Sequence, residues 1–95
     1  MKQGYVYIMT DRPTGVLYIG VTSDLAKRIW EHKNGIFEGF SKKYGLDKLV
    51  YYEIHDDIEN AIKREKQMKE WKRNWKFKLI IDSNPKWKDL YDDIT

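Results

Sequence analysis

The chain contains no cysteine among its 95 residues, and only two prolines. The missing thiols exclude a disulfide framework and every cysteine-based zinc site; they also accord with a reducing compartment. No apolar run approaches the length of a membrane-spanning helix. No long apolar stretch follows Met1-Lys2-Gln3-Gly4-Tyr5, so the start does not read as a signal peptide. Internal repeats, low-complexity segments and linkers are all missing. A cytoplasmic protein with no membrane partner is the expectation.

Aromatic residues are plentiful. Four Trp and seven Tyr contribute to an aromatic content of 15% within a hydrophobic content of 41%. Such side chains bury large areas, enough for one modest domain spanning residues 1–95. The net charge is only +3, but its distribution is uneven. Lys63 to Lys78 carries eight basic and two acidic residues, a local balance of +6. From Asp82 to Asp93 the balance reverses, with four Asp and two Lys. A basic segment of this kind suits either a solvated helix face or a phosphate-tracking surface.

Tyr5, Tyr7 and Met9 alternate with Val6 and Ile8, and Leu17, Ile19 and Val21 alternate with Val16, Tyr18 and Gly20. Both are period-2 strand patterns. Asp11-Arg12-Pro13-Thr14-Gly15 between them predicts a hairpin turn of more than two residues. If the register places Tyr7 opposite Tyr18, the two phenols share one face of the ribbon; a slip of one residue would separate them. Thr22 or Ser23 is expected to cap a helix, with Asp24 suiting its positive end. Leu25 and Ile29 mark the buried face of that helix. Arg28 and His32, four residues apart, project together, and Asn34-Gly35 ends the helix.

Gly35 to Lys48 reads as a loop. Tyr44, Lys42 and Lys43 suit base stacking and phosphate contact there, while Phe37 and Phe40 are expected to anchor it. Leu49 to Ile54 predicts a third strand. A helix follows from about Ile58 to Trp71, capped by Asp56 or Asp57. Ile58, Ala61, Ile62 and Met68 gather on one side of it, and Glu65 falls near the centre of that stripe. A carboxylate there must be paired, neutralised or bound to a cation. Its two readings are a partner lysine at the stripe's edge and a metal ion. Trp71, Trp75 and Leu79 recur every four residues and are expected in the core. Asn84-Pro85 starts a turn, with Pro85 in the first turn of a short terminal helix through Asp89-Leu90-Tyr91.

The spacing of Tyr5-Val6-Tyr7, Tyr18-Ile19-Gly20, Arg28 and His32, continued by Ala61 to Trp71 and Trp75 to Ile80, resembles the GIY-YIG nuclease domain. In length and layout it is most similar to the small standalone bacterial members. The resemblance implies an α/β (α+β) fold with a three-stranded antiparallel sheet flanked by helices. It implies a Mg²⁺- or Mn²⁺-dependent endonuclease that hydrolyses DNA, whether branched or damaged DNA or another form, as in DNA repair. The implied catalytic residues are Tyr7, Tyr18, Arg28, His32 and Glu65, with Glu65 as the metal ligand and Gly20 as the motif glycine. Lys27, Lys42, Lys43, Tyr44, Lys69 and Lys78 are the expected nucleic-acid contacts. Four positions depart from the pattern: Tyr5 stands in place of the first motif's Gly and Val6 in place of its Ile. Val21 stands where many relatives carry a lysine, and Lys78 where many carry an asparagine. A nucleic-acid-binding module that cleaves weakly or not at all is the alternative on the same fold.

Overall fold

The structure is a computed structural model that describes residues 2–36 and 39–95, with the backbone alone for Phe40 and Ser41. The hairpin forms as its pattern predicts, from β1 (Gly4–Thr10) and β2 (Leu17–Thr22). The buried Thr10 hydroxyl donates to the Arg12 and Val16 carbonyls, and the Asp11 carboxylate accepts from the Val16 amide at 3.1 Å. These bonds satisfy turn groups that no strand partner can reach. β3 (Lys48–His55) pairs with β1 on its other side, giving the antiparallel order β2-β1-β3. The two outer strands are therefore β2 and β3.

The register differs by two residues from one that sets Tyr7 opposite Tyr18. Tyr7 lies opposite Gly20, and Tyr18 lies opposite Met9. A two-residue displacement preserves parity, so both phenols still share one face. On β3 the register shifts between Ile8 and Met9, which leaves Val50 without a partner on β1. Val50 and Tyr51 consequently pack in the same layer, as a bulge allows.

Two layers of core sandwich the sheet. On one face, Tyr7, Met9 and Leu49 pack with Leu25 and Ile29 of α1 (Leu25–Lys33) and with Leu46. On the other, Val6, Ile8, Ile19 and Val50 meet Ala61 and Met68 of α3 (Ile58–Glu70) and Ile80 of α4 (Arg73–Ser83). Between α1 and β3 the expected loop contains a short helix, α2 (Phe40–Lys43). Phe37 lies outside the described residues, as do the side chains of Phe40 and Ser41. At the start of β1, a methyl group on Gly4 would stand 2.6 Å from the Ala61 Cβ. Glycine there sets how closely α3 approaches the sheet.

The helix caps hold two lessons about local chemistry. Asp57 caps α3, accepting from the Asn60 amide at 2.8 Å. At α1 the cap is Asp24 itself, not Thr22 or Ser23. The Thr22 hydroxyl instead accepts from the Asp24 amide at 3.1 Å, shaping the turn that leads into the helix.

The C-terminal segment departs more strongly. Pro85 lies in a turn but starts no helix, and the last helix, α5, is only Tyr91–Ile94. Asn84 explains the difference. Its buried amide donates to the carbonyls of Val50 and Lys88, while its side-chain oxygen accepts from the Lys88 amide. That holds the chain extended along β3. The Leu90 amide then donates to the Leu49 carbonyl at 2.7 Å, and Asp89 accepts from the Leu49 amide and from Lys33. Part of the β3 edge is thereby covered. Trp87 joins the α3 layer and Leu90 and Tyr91 join the α1 layer. These three residues thus close the core across both layers.

Candidate active site

The site begins with β1 and β2. Parity places Tyr7 and Tyr18 on the α1 face, and the helix brings Arg28 and His32 onto the same face one turn apart. The Tyr7 and Tyr18 ring centroids are 6.2 Å apart, and the His32 imidazole stands edge-on to both, 5.6 Å from Tyr7 and 5.4 Å from Tyr18. The Tyr7 hydroxyl and His32 Nε2 share a hydrogen bond of 2.9 Å. Arg28 interacts with the same hydroxyl and also lies 3.7 Å from the Glu31 carboxylate.

Gly20 makes this cluster possible. A Cβ added there would lie 2.4 Å from both the Tyr7 hydroxyl and the carbon that bears it. The Tyr7 ring therefore lies across the strand at the only kind of residue that leaves it room. Its role is space, and the occupant of that space is the first motif tyrosine.

Electrostatics separate the two phenols. Tyr7 is completely buried. Burial pushes its hydroxyl well above the ordinary tyrosine range; Tyr18 adds to that shift, and Arg28 offsets only part of it. Tyr7 is thus a neutral phenol at physiological pH. Burial also lowers His32, and the Arg28 charge lowers it further, with Glu31 opposing. The Tyr7–His32 pair is a bond between two neutral groups, each able to take the donor or acceptor role. Tyr18 is only partly buried. It is the tyrosine with a surface to offer.

Glu65 lies elsewhere. It stands between Ala61 and Met68 on the sheet-facing stripe of α3, which packs against the opposite face from the tyrosines. Its side chain is 13% exposed, and its carboxylate is 3.2 Å from the Lys69 ammonium. The lysine partner anticipated for a carboxylate on an apolar stripe is present. The structure therefore gathers Tyr7, Tyr18, Arg28 and His32 on one face and keeps Glu65 on the other. β2, an outer strand, carries Tyr18 and is also packed against α3.

Among the described residues, no three His, Cys, Asp or Glu side chains gather closely enough to cage a metal ion. The donor set still fits Mg²⁺, which takes one or two carboxylates and keeps several waters. Glu65 supplies one hard oxygen ligand close to solvent, with Lys69 as the competing cation.

The expected nucleic-acid contacts are exposed and dispersed. Lys27 lines a polar depression of about 350 Å³ with Thr22, Ser23, Asp24, Arg28 and Glu31. Lys42, Lys43 and Tyr44 are exposed beyond α1, with the Lys43 ammonium 5.5 Å from the Tyr44 ring centre. Lys69 and Lys78 are on α3 and α4, and Lys78 pairs with Asp82 at 3.3 Å.

A second polar cluster escaped the sequence reading. Glu53 accepts from the Tyr51 hydroxyl at 2.5 Å and from Arg64 Nε at 2.8 Å, and lies 2.9 Å from His55 Nε2. Burial alone would raise this carboxyl, but the bonds from Arg64, Tyr51 and His55 hold it below its ordinary value. The signal was the alternation of Tyr51, Glu53 and His55 along one face of a strand, with an arginine on the helix that covers it.

Comparison with known proteins agrees with the motif spacing and the fold. Residues 3–78 match the family described as the GIY-YIG catalytic domain. A UPF0213 protein of Staphylococcus saprophyticus is 39% identical over 82 residues, covering 86% of this chain and 99% of its own. One from Clostridium perfringens is 38% identical, covering 86% and 87%. The solution NMR structure of a UPF0213 protein from Bacillus halodurans superposes with a TM-score of 0.57 at 26% identity, covering 92% of each chain. The relatives are small bacterial proteins, and the chain belongs to the GIY-YIG catalytic domain family.

Proposed function

We propose that the protein is a Mg²⁺-dependent endonuclease that hydrolyses DNA phosphodiester bonds by water attack. The observation that carries the reading is the Tyr7–His32 hydrogen bond, with Tyr18 and Arg28 gathered around it on the face beside the β2 edge. Arg28 binds a phosphate oxygen pair through its planar fork and stabilises the charge that develops there. Tyr18, the partly exposed phenol, orients the attacking water. Tyr7 has no surface for that water; its hydroxyl holds His32 in place, and the neutral imidazole of His32 takes up the proton the water loses. Glu65 would hold Mg²⁺, which would polarise the phosphate and stabilise the leaving oxygen.

Nicking of supercoiled plasmid tests the reading. The expected result is Mg²⁺-dependent nicking that falls by about 10² to 10³ in Arg28→Ala and disappears in Glu65→Ala. Nicking that survives both substitutions overturns it. A second reading, binding without efficient cleavage, draws on the Lys69 ammonium at the Glu65 carboxylate. Salt-dependent DNA binding without nicking, unchanged in Glu65→Ala, is its signature.

A further inference from the structure

Most amphipathic helices turn one apolar face inward, but α4 is apolar on two sides. Ile80 is buried, and Phe77 packs edge-on to Trp87 with ring centres 5.5 Å apart. On the outer side Trp75 is 60% exposed, beside Leu79, which is partly buried against the core. An indole left in water is the informative kind of exposure, because it marks a surface with a use. Trp71, Trp75, Lys78, Leu79 and Asp82 line a groove of ≈ 400 Å³ whose surface is mostly apolar. Its size falls in the range of ligand pockets.

The groove is held in shape. The Trp71 and Trp75 rings meet edge to face at 6.1 Å. The Arg64 guanidinium lies 4.9 Å from the Trp71 ring centre and is itself fixed by Glu53. Arg73 donates to the carbonyls of Thr14 and Gly15, fastening the start of α4 to the turn between β1 and β2. The groove therefore lies at the turn end of the sheet, from which β2 leads to Tyr18.

Charge decides the occupant. The groove lies at the end of the segment with a local balance of +6. Lys72 and Lys78 stand three residues to either side of Trp75, on its side of the helix. Asp82, at the far end, is paired with Lys78. A self-complementary contact between two copies would bring like-charged segments together, whereas a polyanion is attracted. Exposed aromatic rings between cations suit unpaired bases, since every base has a face to stack and a phosphate beside it.

We propose that the outer side of α4 is a base-stacking site, separate from the catalytic cluster, in which Trp75 beside Trp71 holds an unpaired base of a DNA strand whose phosphates run along Lys72 and Lys78. The site rests on the reading of the protein as a DNA-acting enzyme and specifies the form of DNA it prefers. Binding of a blunt duplex and of the same duplex with a single-stranded overhang, in chelator so that neither is cut, tests it. Trp75→Leu is expected to weaken overhang binding roughly tenfold while leaving blunt-duplex binding unchanged. Trp75→Phe keeps most of the overhang affinity, because the ring and not its apolarity is required. Overhang binding should quench tryptophan fluorescence, and Trp75→Leu should remove most of that quenching. If Trp75→Leu binds the overhang as the wild type does, the stacking site is overturned and the nuclease reading stands. A wild-type dimer that Trp75→Leu dissociates overturns it in favour of a second copy. If the wild type binds neither DNA, the DNA reading itself falls.

Discussion

The two faces of the sheet carry polar groups in different ways. On the α1 face, Tyr7, Tyr18, His32 and Arg28 interact with one another, and the buried member is neutral. On the α3 face the carboxylates already have cations: Glu53 has Arg64, and Glu65 has Lys69. The first cluster has phenol and imidazole groups available for proton transfer. The second consists of ion pairs, one built into the packing and one at its rim. Glu53 is shared among three donors, whereas the lone pair between Glu65 and a half-exposed lysine is easily exchanged.

The sharpest way to break this contrast is to separate the two tyrosines. Tyr18→Phe is expected to lower the nicking rate by about 10² or more, with little change in stability. Tyr7→Phe should lower it less and destabilise the fold by about 1–3 kcal/mol, because His32 loses its buried partner. Nicking time courses and urea unfolding of both variants check the pair. Equal losses in activity and stability would remove the distinction.

Gly20→Ala should be comparably damaging to the fold. Overpacking against the Tyr7 ring is expected to cost about 1–3 kcal/mol and to displace the Tyr7–His32 bond, seen as a lowered urea midpoint and a shifted His32 NMR resonance. On the opposite face, Glu53→Gln should cost about 2 kcal/mol by leaving Arg64 and His55 without their anion, with nicking intact at a temperature where the variant is folded. Activity lost in the folded variant would show that the Glu53 cluster also serves the chemistry.

Acid titration sharpens the comparison by its sign. His32 is lowered from 6.5, so the unfolded chain takes up its proton more readily and stability falls as pH drops through that value. Glu53 and Asp89 are held below 4.5 and 3.8, so what they contribute is complete above those values and is lost as pH falls beneath them. Urea midpoints across pH should show two successive losses, and His32→Gln should remove the first. The smallest effect is expected from Lys69→Ala. It should change stability by no more than about 0.5 kcal/mol, while lowering the Mg²⁺ concentration needed for nicking because Glu65 loses its competing cation. A higher requirement would mean that Lys69 assists the metal site.

Much of the fold was legible in local pattern. Alternation located β1 and β2, a β-rich run located β3, and helical spacing located α1 and α3 with Asp56 or Asp57 at the cap of α3. The motif tyrosines share a face even though the pairing is displaced by two residues, because a period of two forgives an even slip. Trp75 was misassigned to the core because helical recurrence with Trp71 and Leu79 identifies a common side without saying what covers it. The terminal helix began six residues after Pro85 because Asn84 has more rewarding partners across the sheet than in a helix of its own.

The order of residues by itself determined which side chains share a face within β1, within β2 or along one side of a helix, since those relations depend only on backbone periodicity; the bulge in β3 is the exception. Tertiary structure alone decided that Tyr7 is buried over Gly20 against His32, that Glu65 stands behind the sheet with Lys69, and that Trp75 faces water. Each of these depends on how elements distant in the chain pack together, and burial then sets which groups stay neutral and which need a counter-charge.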